Sequence, residues 1–137
     1  MKIKSLVFGC ILSFGSLAFA ANQHSHPEDS NAGSQPVLEA VQKAGSCEIE
    51  IINRSYANVT VYGVFNDGVS LEPFDVYSFE SPHYISLYYY GYCHAGMDLY
   101  IDTFDGSHVY SGYTRRKTTV RIVPYLTNQI KAEVQAK

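Results

Sequence analysis

Twelve tyrosines and no tryptophan in 137 residues put the phenol ring first among the side chains that could recognise a ligand. Along His83 to Tyr92, an alternation of period two sends Ile85, Leu87 and Tyr89 toward a core and Tyr84, Tyr88 and Tyr90 to the opposite face. The same parity turns Tyr62 and Tyr100 outward. Rings gathered on one outer sheet face offer rigid contact area with a polar tip, on which sugars stack and which partner proteins bury. The competing use of such rings is cross-strand pairing or packing against the second layer of a core.

Histidines and carboxylates supply the other candidates. His83, His94 and His108 lie in or beside predicted strands, and each could act as a general base oriented by Asp98 or Asp102. That chemistry requires base and carboxylate within about 3 Å in a concave pocket. No serine or cysteine nucleophile sits in a recognisable elbow. Glu48 and Glu50 project from the same side of one strand, whereas glycosidase chemistry needs two carboxyls facing each other across a cleft. Asp67, Asp75, Asp98, Asp102 and Asp105 include no Asp-x-Asp-x-Asp-Gly run, so the Asp-Gly pairs are expected as turns and not as a calcium loop.

His24 and His26 fall near the expected new amino terminus. Cleavage after Ala20 makes His24 the fourth residue, one place beyond the third-position histidine of a tight copper chelate. No metal site and no cofactor are expected. Arg115, Arg116 and Lys117 form a basic cluster at a predicted hairpin tip, and Asn53 with Ser55 and Asn58 with Thr60 fit the glycosylation acceptor pattern.

These residues need elements to hold them, and the chain divides accordingly. Lys2 and Lys4 precede an uncharged apolar run from Leu6 to Phe19, and Ala18 and Ala20 are the small residues a signal peptidase requires. A run of about 14 residues is short of the roughly 20 that span a bilayer. Residues 1–20 are therefore expected to be a cleaved signal peptide, with Cys10 discarded inside it. Export leaves Cys47 and Cys93 as an even pair in an oxidising compartment, where they are expected to bond to each other. Without Lys2 and Lys4 the 10 basic residues fall to 8 against 13 acidic ones, a balance poorly suited to nucleic acid.

Residues 21–46 read as a flexible leader with a possible short helix from Pro36 to Ala44, because residues 21–35 carry no branched aliphatic or aromatic side chain. From Cys47 onward the period is two. Cys47, Ile49 and Ile51 alternate with Glu48 and Glu50; Val59, Val61 and Phe65 with Thr60, Tyr62 and Val64; Met97, Leu99 and Ile101 with Asp98, Tyr100 and Asp102. Asp67-Gly68 and Asp105-Gly106 signal hairpin turns, and Pro73 places its strand at an edge or a bend.

The spacing predicts an all-β domain over residues 47–125, a small antiparallel sandwich or barrel of six to seven strands. Residues 126–137 form a tail in which Leu126, Ile130 and Val134, four apart, suit a terminal helix or a frayed end. The function expected from these features is that of a periplasmic or secreted, non-catalytic binding module. It would hold a protein or glycan with Tyr62, Tyr84, Tyr88, Tyr90 and Tyr100 and the neighbouring loops. The alternatives are a small hydrolase built on a His/Asp site, or an inhibitor that thrusts residues 113–118 or 66–74 into another enzyme.

Overall fold

A computed structural model describes residues 22–28 and 47–137. The expected signal peptide and the Pro36–Ala44 helix lie outside these residues. Eleven strands follow one another: β1 Gln23–His24, β2 Glu48–Asn53, β3 Val59–Phe65, β4 Ser70–Val76, β5 His83–Ser86, β6 Tyr88–Tyr89, β7 Tyr92–Cys93, β8 Gly96–Thr103, β9 His108–Arg115, β10 Thr118–Pro124 and β11 Ile130–Ala136. One sheet has the order β1-β5-β2-β10-β11 and the other β4-β3-β8-β9, with β6-β7 as a separate ribbon. The apolar sides of the two sheets face each other. Ile49, Ile51, Ile85, Val120 and Ile122 from the first meet Val59, Val61, Phe65, Leu71, Val76, Met97, Leu99 and Ile101 from the second, all buried. The class is that of a small β-sandwich.

Period-two alternation predicts the buried side of β2, β3 and β8, and both Asp-Gly pairs close true hairpins. Phe65 N–H donates to the Val69 carbonyl and Thr103 N–H to that of Ser107, while Gly68 and Gly106 take the positive φ values of 85° and 91°. Pro73 sits in β4, at the edge of its sheet, where a missing N–H costs no ladder bond. Gly63 answers a different need. A Cβ there would fall on the carbonyl oxygen of Asp98 and lie 2.8 Å from Met97 Cε, so glycine lets β3 and β8 run close together beside the register shift between β3 and β4.

Five expectations are corrected. The run from His83 to Tyr92 is broken: β5 ends at Ser86, and Tyr88–Cys93 folds back as the β6–β7 ribbon around Tyr90 and Gly91 at φ 53° and 82°. Two adjacent positive φ angles are what a two-residue hairpin turn demands. The 126–137 tail is neither helix nor frayed end, for Ile130–Ala136 pairs antiparallel with β10 over seven positions. A spacing of four is even, so it marks one face of a strand as readily as one face of a helix. Residues 114–117 do not turn a hairpin: β9 and β10 belong to different sheets, and the segment crosses between them. Pairing is not wholly antiparallel either, since β10 runs parallel to β2 and β1 parallel to β5.

The fifth correction concerns the leader. Asn22 to Glu28 is ordered against the domain, with His26 fully buried. Composition excluded it from the core because it lacks branched aliphatic and aromatic residues. Imidazole rings fill that part instead, stacking on aromatic neighbours while their nitrogens find hydrogen bonds.

Cys47 and Cys93 are bonded, with Cα atoms 5.8 Å apart. The link joins the entry of β2 to the end of β7, fastening the small ribbon to the first sheet. Among the described residues no helix is long and apolar enough to cross a membrane.

Candidate functional site

The five sequence-predicted tyrosines do not share one face. Tyr62 on β3 and Tyr100 on β8 are directly paired and stack with centroids 5.3 Å apart. Tyr84 belongs to the other sheet, beside Glu50 and under the Lys137 ammonium at 5.7 Å. Tyr88 and Tyr90 sit on the ribbon, where Tyr88 donates to the Gly91 carbonyl and Tyr90 to Asp67. Parity along one strand says which way a side chain points, but which sheet carries the strand is a tertiary matter.

Glu48 and Glu50 project from one strand, β2, as expected. Burial lifts the Glu48 carboxyl above its ordinary value. Desolvation acts on Glu50 in the same sense, but hydrogen bonds from Thr119 and Lys137 outweigh it and hold Glu50 low. Among the described residues no group of three or more His, Cys, Asp or Glu side chains is gathered as a metal site. Asn53 is fully buried, so the first glycosylation pattern is closed to modification in the folded domain.

A concave feature lies at one end of the sandwich, where β2, β8 and β10 finish and β3, β9 and β11 begin. A cleft of about 620 Å³ opens there between Tyr56, Ala57 and Asn58, the Thr103–Val109 turn region, and Asn128 to Ile130. Tyr56 and Phe104 line it, and the loops next to its lining residues carry further exposed apolar side chains, Tyr77, Phe79, Tyr125 and Leu126, the six being each 46–70% exposed. Tyr77 and Phe104 meet edge to face, with centroids 6.0 Å apart. Phe79 and Leu126 hold positive φ angles of 57° and 56°. Such backbone is disfavoured for a residue with a Cβ, and it clusters where surrounding structure enforces a functional shape.

Around Phe79 the enforcing structure is a buried polar knot. Asn53 donates from Nδ2 to the carbonyls of Ala57 and Val76 at 2.7 and 3.0 Å, and its Oδ1 accepts from the N–H and hydroxyl of Ser55 at 3.0 and 2.7 Å. The Ser78 hydroxyl donates to the Ser55 carbonyl, the Ser78 N–H to Asn58 Oδ1, and the Phe79 N–H to the Asn53 carbonyl. The loops bearing Tyr56, Tyr77 and Phe79 are thus tied to one amide. A satisfied network of this kind preorganises the rings it supports.

Chemistry also reaches the cleft. His108 lines it, and Asp102 Oδ1 lies 2.9 Å from His108 Nδ1 while its Oδ2 accepts from the Tyr62 hydroxyl at 2.7 Å. The bonds from Tyr62 and then His108 hold the Asp102 carboxyl below its usual range, and the same contact raises the Tyr62 phenol. Of the histidine and aspartate candidates, His108 and Asp102 are the pair brought together. His83 is buried beside Glu80, and His94 is stacked on Tyr89. Sequence reasoning missed the rim because its rings lie in loops, where no periodicity marks them. The available signal was a large apolar side chain beside turn residues, as at Tyr56, Phe79, Phe104 and Leu126.

No protein-family model matches the chain, and no curated protein or solved structure matches it either. The fold and the cleft therefore carry the functional reading.

Proposed function

We propose that the chain is an exported, non-catalytic binding module that holds a neutral glycan in the cleft between its loops. The observation that carries this reading is the exposed aromatic rim fixed on the buried Asn53 knot. Clustered solvent-facing rings mark surfaces that contact a partner or ligand, and Phe79 is held among them in disfavoured backbone. Residues lining the cleft offer the amides of Asn58, Asn128 and Gln129 and the hydroxyls of Thr103 and Ser107, with neither lysine nor arginine among them. Rings that stack on sugar faces, beside amides that both donate and accept toward vicinal hydroxyls, suit a neutral oligosaccharide better than an anionic one. The volume falls within the usual range of small-ligand sites. Export is supported by the apolar, alanine-terminated amino terminus and by the disulfide.

Titration of neutral oligosaccharides tests the reading. Tyr56→Ser combined with Phe104→Ser is expected to weaken binding by about 5- to 150-fold, two rings at about 0.5–1.5 kcal/mol each, with the melting temperature unchanged. Tyr88→Ser, on the ribbon fastened to the entry of β2 and so at the end of the sandwich away from the cleft, should bind as the parent does. Equal affinity in the rim variant, or capture of a protein ligand with no glycan bound, would reject it.

A second reading rests on the 2.9 Å His108–Asp102 contact, the geometry expected of a general base with its orienting carboxylate. No serine, threonine or cysteine is hydrogen-bonded to His108 among the described residues, so a hydrolase here would activate water. On that reading His108→Ala abolishes ester turnover while leaving glycan affinity within a few-fold. Absence of turnover by the parent protein over a panel of acylated sugars removes it.

A further inference from the structure

The segment 22–28 lies on the domain as a strand with two histidine plugs, and its seat is a second site, independent of the cleft. Asn22 accepts from the Tyr84 N–H at 2.9 Å, and Gln23 and His24 pair in parallel with Tyr84 and Ile85 of β5. The His24 ring stacks on Phe74 of β4 with centroids 3.4 Å apart and planes inclined by 5°. Its Nε2 lies 2.8 Å from Nδ1 of His83. Two residues on, His26 is sealed between Tyr89 and Phe65, stacked on Tyr89 at 4.1 Å; its Nε2 meets Asp67 Oδ2 at 2.8 Å and its Nδ1 accepts from the Glu28 N–H.

A strand paired over two residues has almost no ladder to hold it. The imidazoles therefore carry the docking. The His24–His83 contact works only while one nitrogen donates and the other accepts. If both rings are protonated, two N–H groups point at each other across 2.8 Å with two positive charges in contact, a like-charge arrangement that partial burial makes worse.

We propose that the seat formed by the β5 edge, Phe74, His83 and Tyr89 is a strand-binding groove whose occupant is this chain's own residues 22–28, docked along its length at neutral pH and released by acid at its His24 end. The charged and titratable groups around the two plugs divide, those at His24 favouring release in acid and those at His26 opposing it. On β5, His83 opposes a charge on His24; from the loop after β4, Glu80 sits 3.3 Å from His83 Nε2 without hydrogen-bond alignment and only partly offsets it. Phe74 on β4 is neutral. At the second plug Asp67 and the Tyr90 hydroxyl face His26, while Tyr89 and His94 stack beyond it. Desolvation pushes Asp67 upward, but bonds from the Val69 N–H, His26 and Tyr90 outweigh it and keep the carboxyl low. That plug therefore holds its anion as the first begins to fail.

Burial, and after it His83, lower the His24 imidazole from 6.5 to about 4. A group whose docked value is depressed favours docking above its free value, and that preference fades as the pH falls from 6.5 through 4. Because His24 is partly open to solvent, only a fraction of the full shift counts. The expected change between pH 7 and 4.5 is about tenfold in the open-to-docked ratio.

Hydrogen exchange on the intact protein reads this directly, as protection factors that remove the intrinsic pH dependence. The expected result is a loss of about tenfold between pH 7 and 4.5 at residues 22–24 and at the Tyr84 amide, with β3 and β8 unchanged. His24→Phe keeps a ring on Phe74 but cannot titrate, and should hold its protection constant over that range. Constant protection in the parent, equal loss in the His24→Phe variant, or loss throughout the domain together would each overturn the latch.

Discussion

Unfolding of a C47A/C93A double variant in urea should show a free energy about 4 kcal/mol below that of the parent. The bond closes a long loop, 46 residues apart in sequence, and the chain-entropy relation assigns a loop of that length a cost of this size in the unfolded state. For a domain of roughly 100 residues, with about 4–8 °C per kcal/mol, the melting temperature would fall by some 15–30 °C. The ribbon should suffer first. It holds only the Tyr88–Cys93 and Tyr89–Tyr92 pairs, and a two-stranded ribbon of that length does not stand alone. Tyr89 and His94 would then lose the fixed stack, with centroids 3.6 Å apart, that closes the His26 pocket. Reduction of the parent protein should reproduce the variant. A loss below about 1 kcal/mol in both experiments would mean that strand pairing already does the work assigned to the sulfur link.

Asn53→Ala is expected to cost about 3 kcal/mol and to loosen the rim. Asn53 is fully buried and its side chain makes four hydrogen bonds. Each contributes about 0.5–1.5 kcal/mol net, and the Ala57 and Val76 carbonyls lose a buried donor. Asn53→Asp should be no better, because a carboxylate cannot donate to two carbonyls and would bring a negative charge against them. Amide exchange in residues 54–58 and 77–79 should quicken more than in β3 or β8, and glycan affinity should fall with it. An Asn53→Ala protein that keeps its stability within about 1 kcal/mol would detach the rim from the knot. It would also weaken the claim that the exposed rings are preorganised.

Both predictions show where reading residues in order reaches its limit. Cys47 and Cys93 could be paired from their number and their compartment, without geometry. Asn53 could not be found that way, since Asn-Arg-Ser reads as a turn or an acceptor sequence, and only burial reveals an amide serving four partners. The tyrosines fall between these cases: the outward sense of Tyr62 and Tyr100 follows from alternation, and so does the inward sense of Tyr89. Their assembly into one surface does not follow, and the chain distributes them over two sheets and a ribbon.

By itself the sequence determined the all-β class, the buried sides of β2, β3 and β8, the two Asp-Gly hairpins and the disulfide pair, and it confined Pro73 to an edge or a bend. Each of these depends on a period or a turn chemistry that acts within a few residues, or on a count. Only the tertiary structure decided that β10 lies beside β2, that the last residues add a strand, that His24 and His26 dock the leader, and that loop rings surround a cleft. Those outcomes join residues as far apart as His24 and His83, or Tyr56 and Phe104. Such partners are chosen by how two whole sheets cover each other, and no local pattern records it.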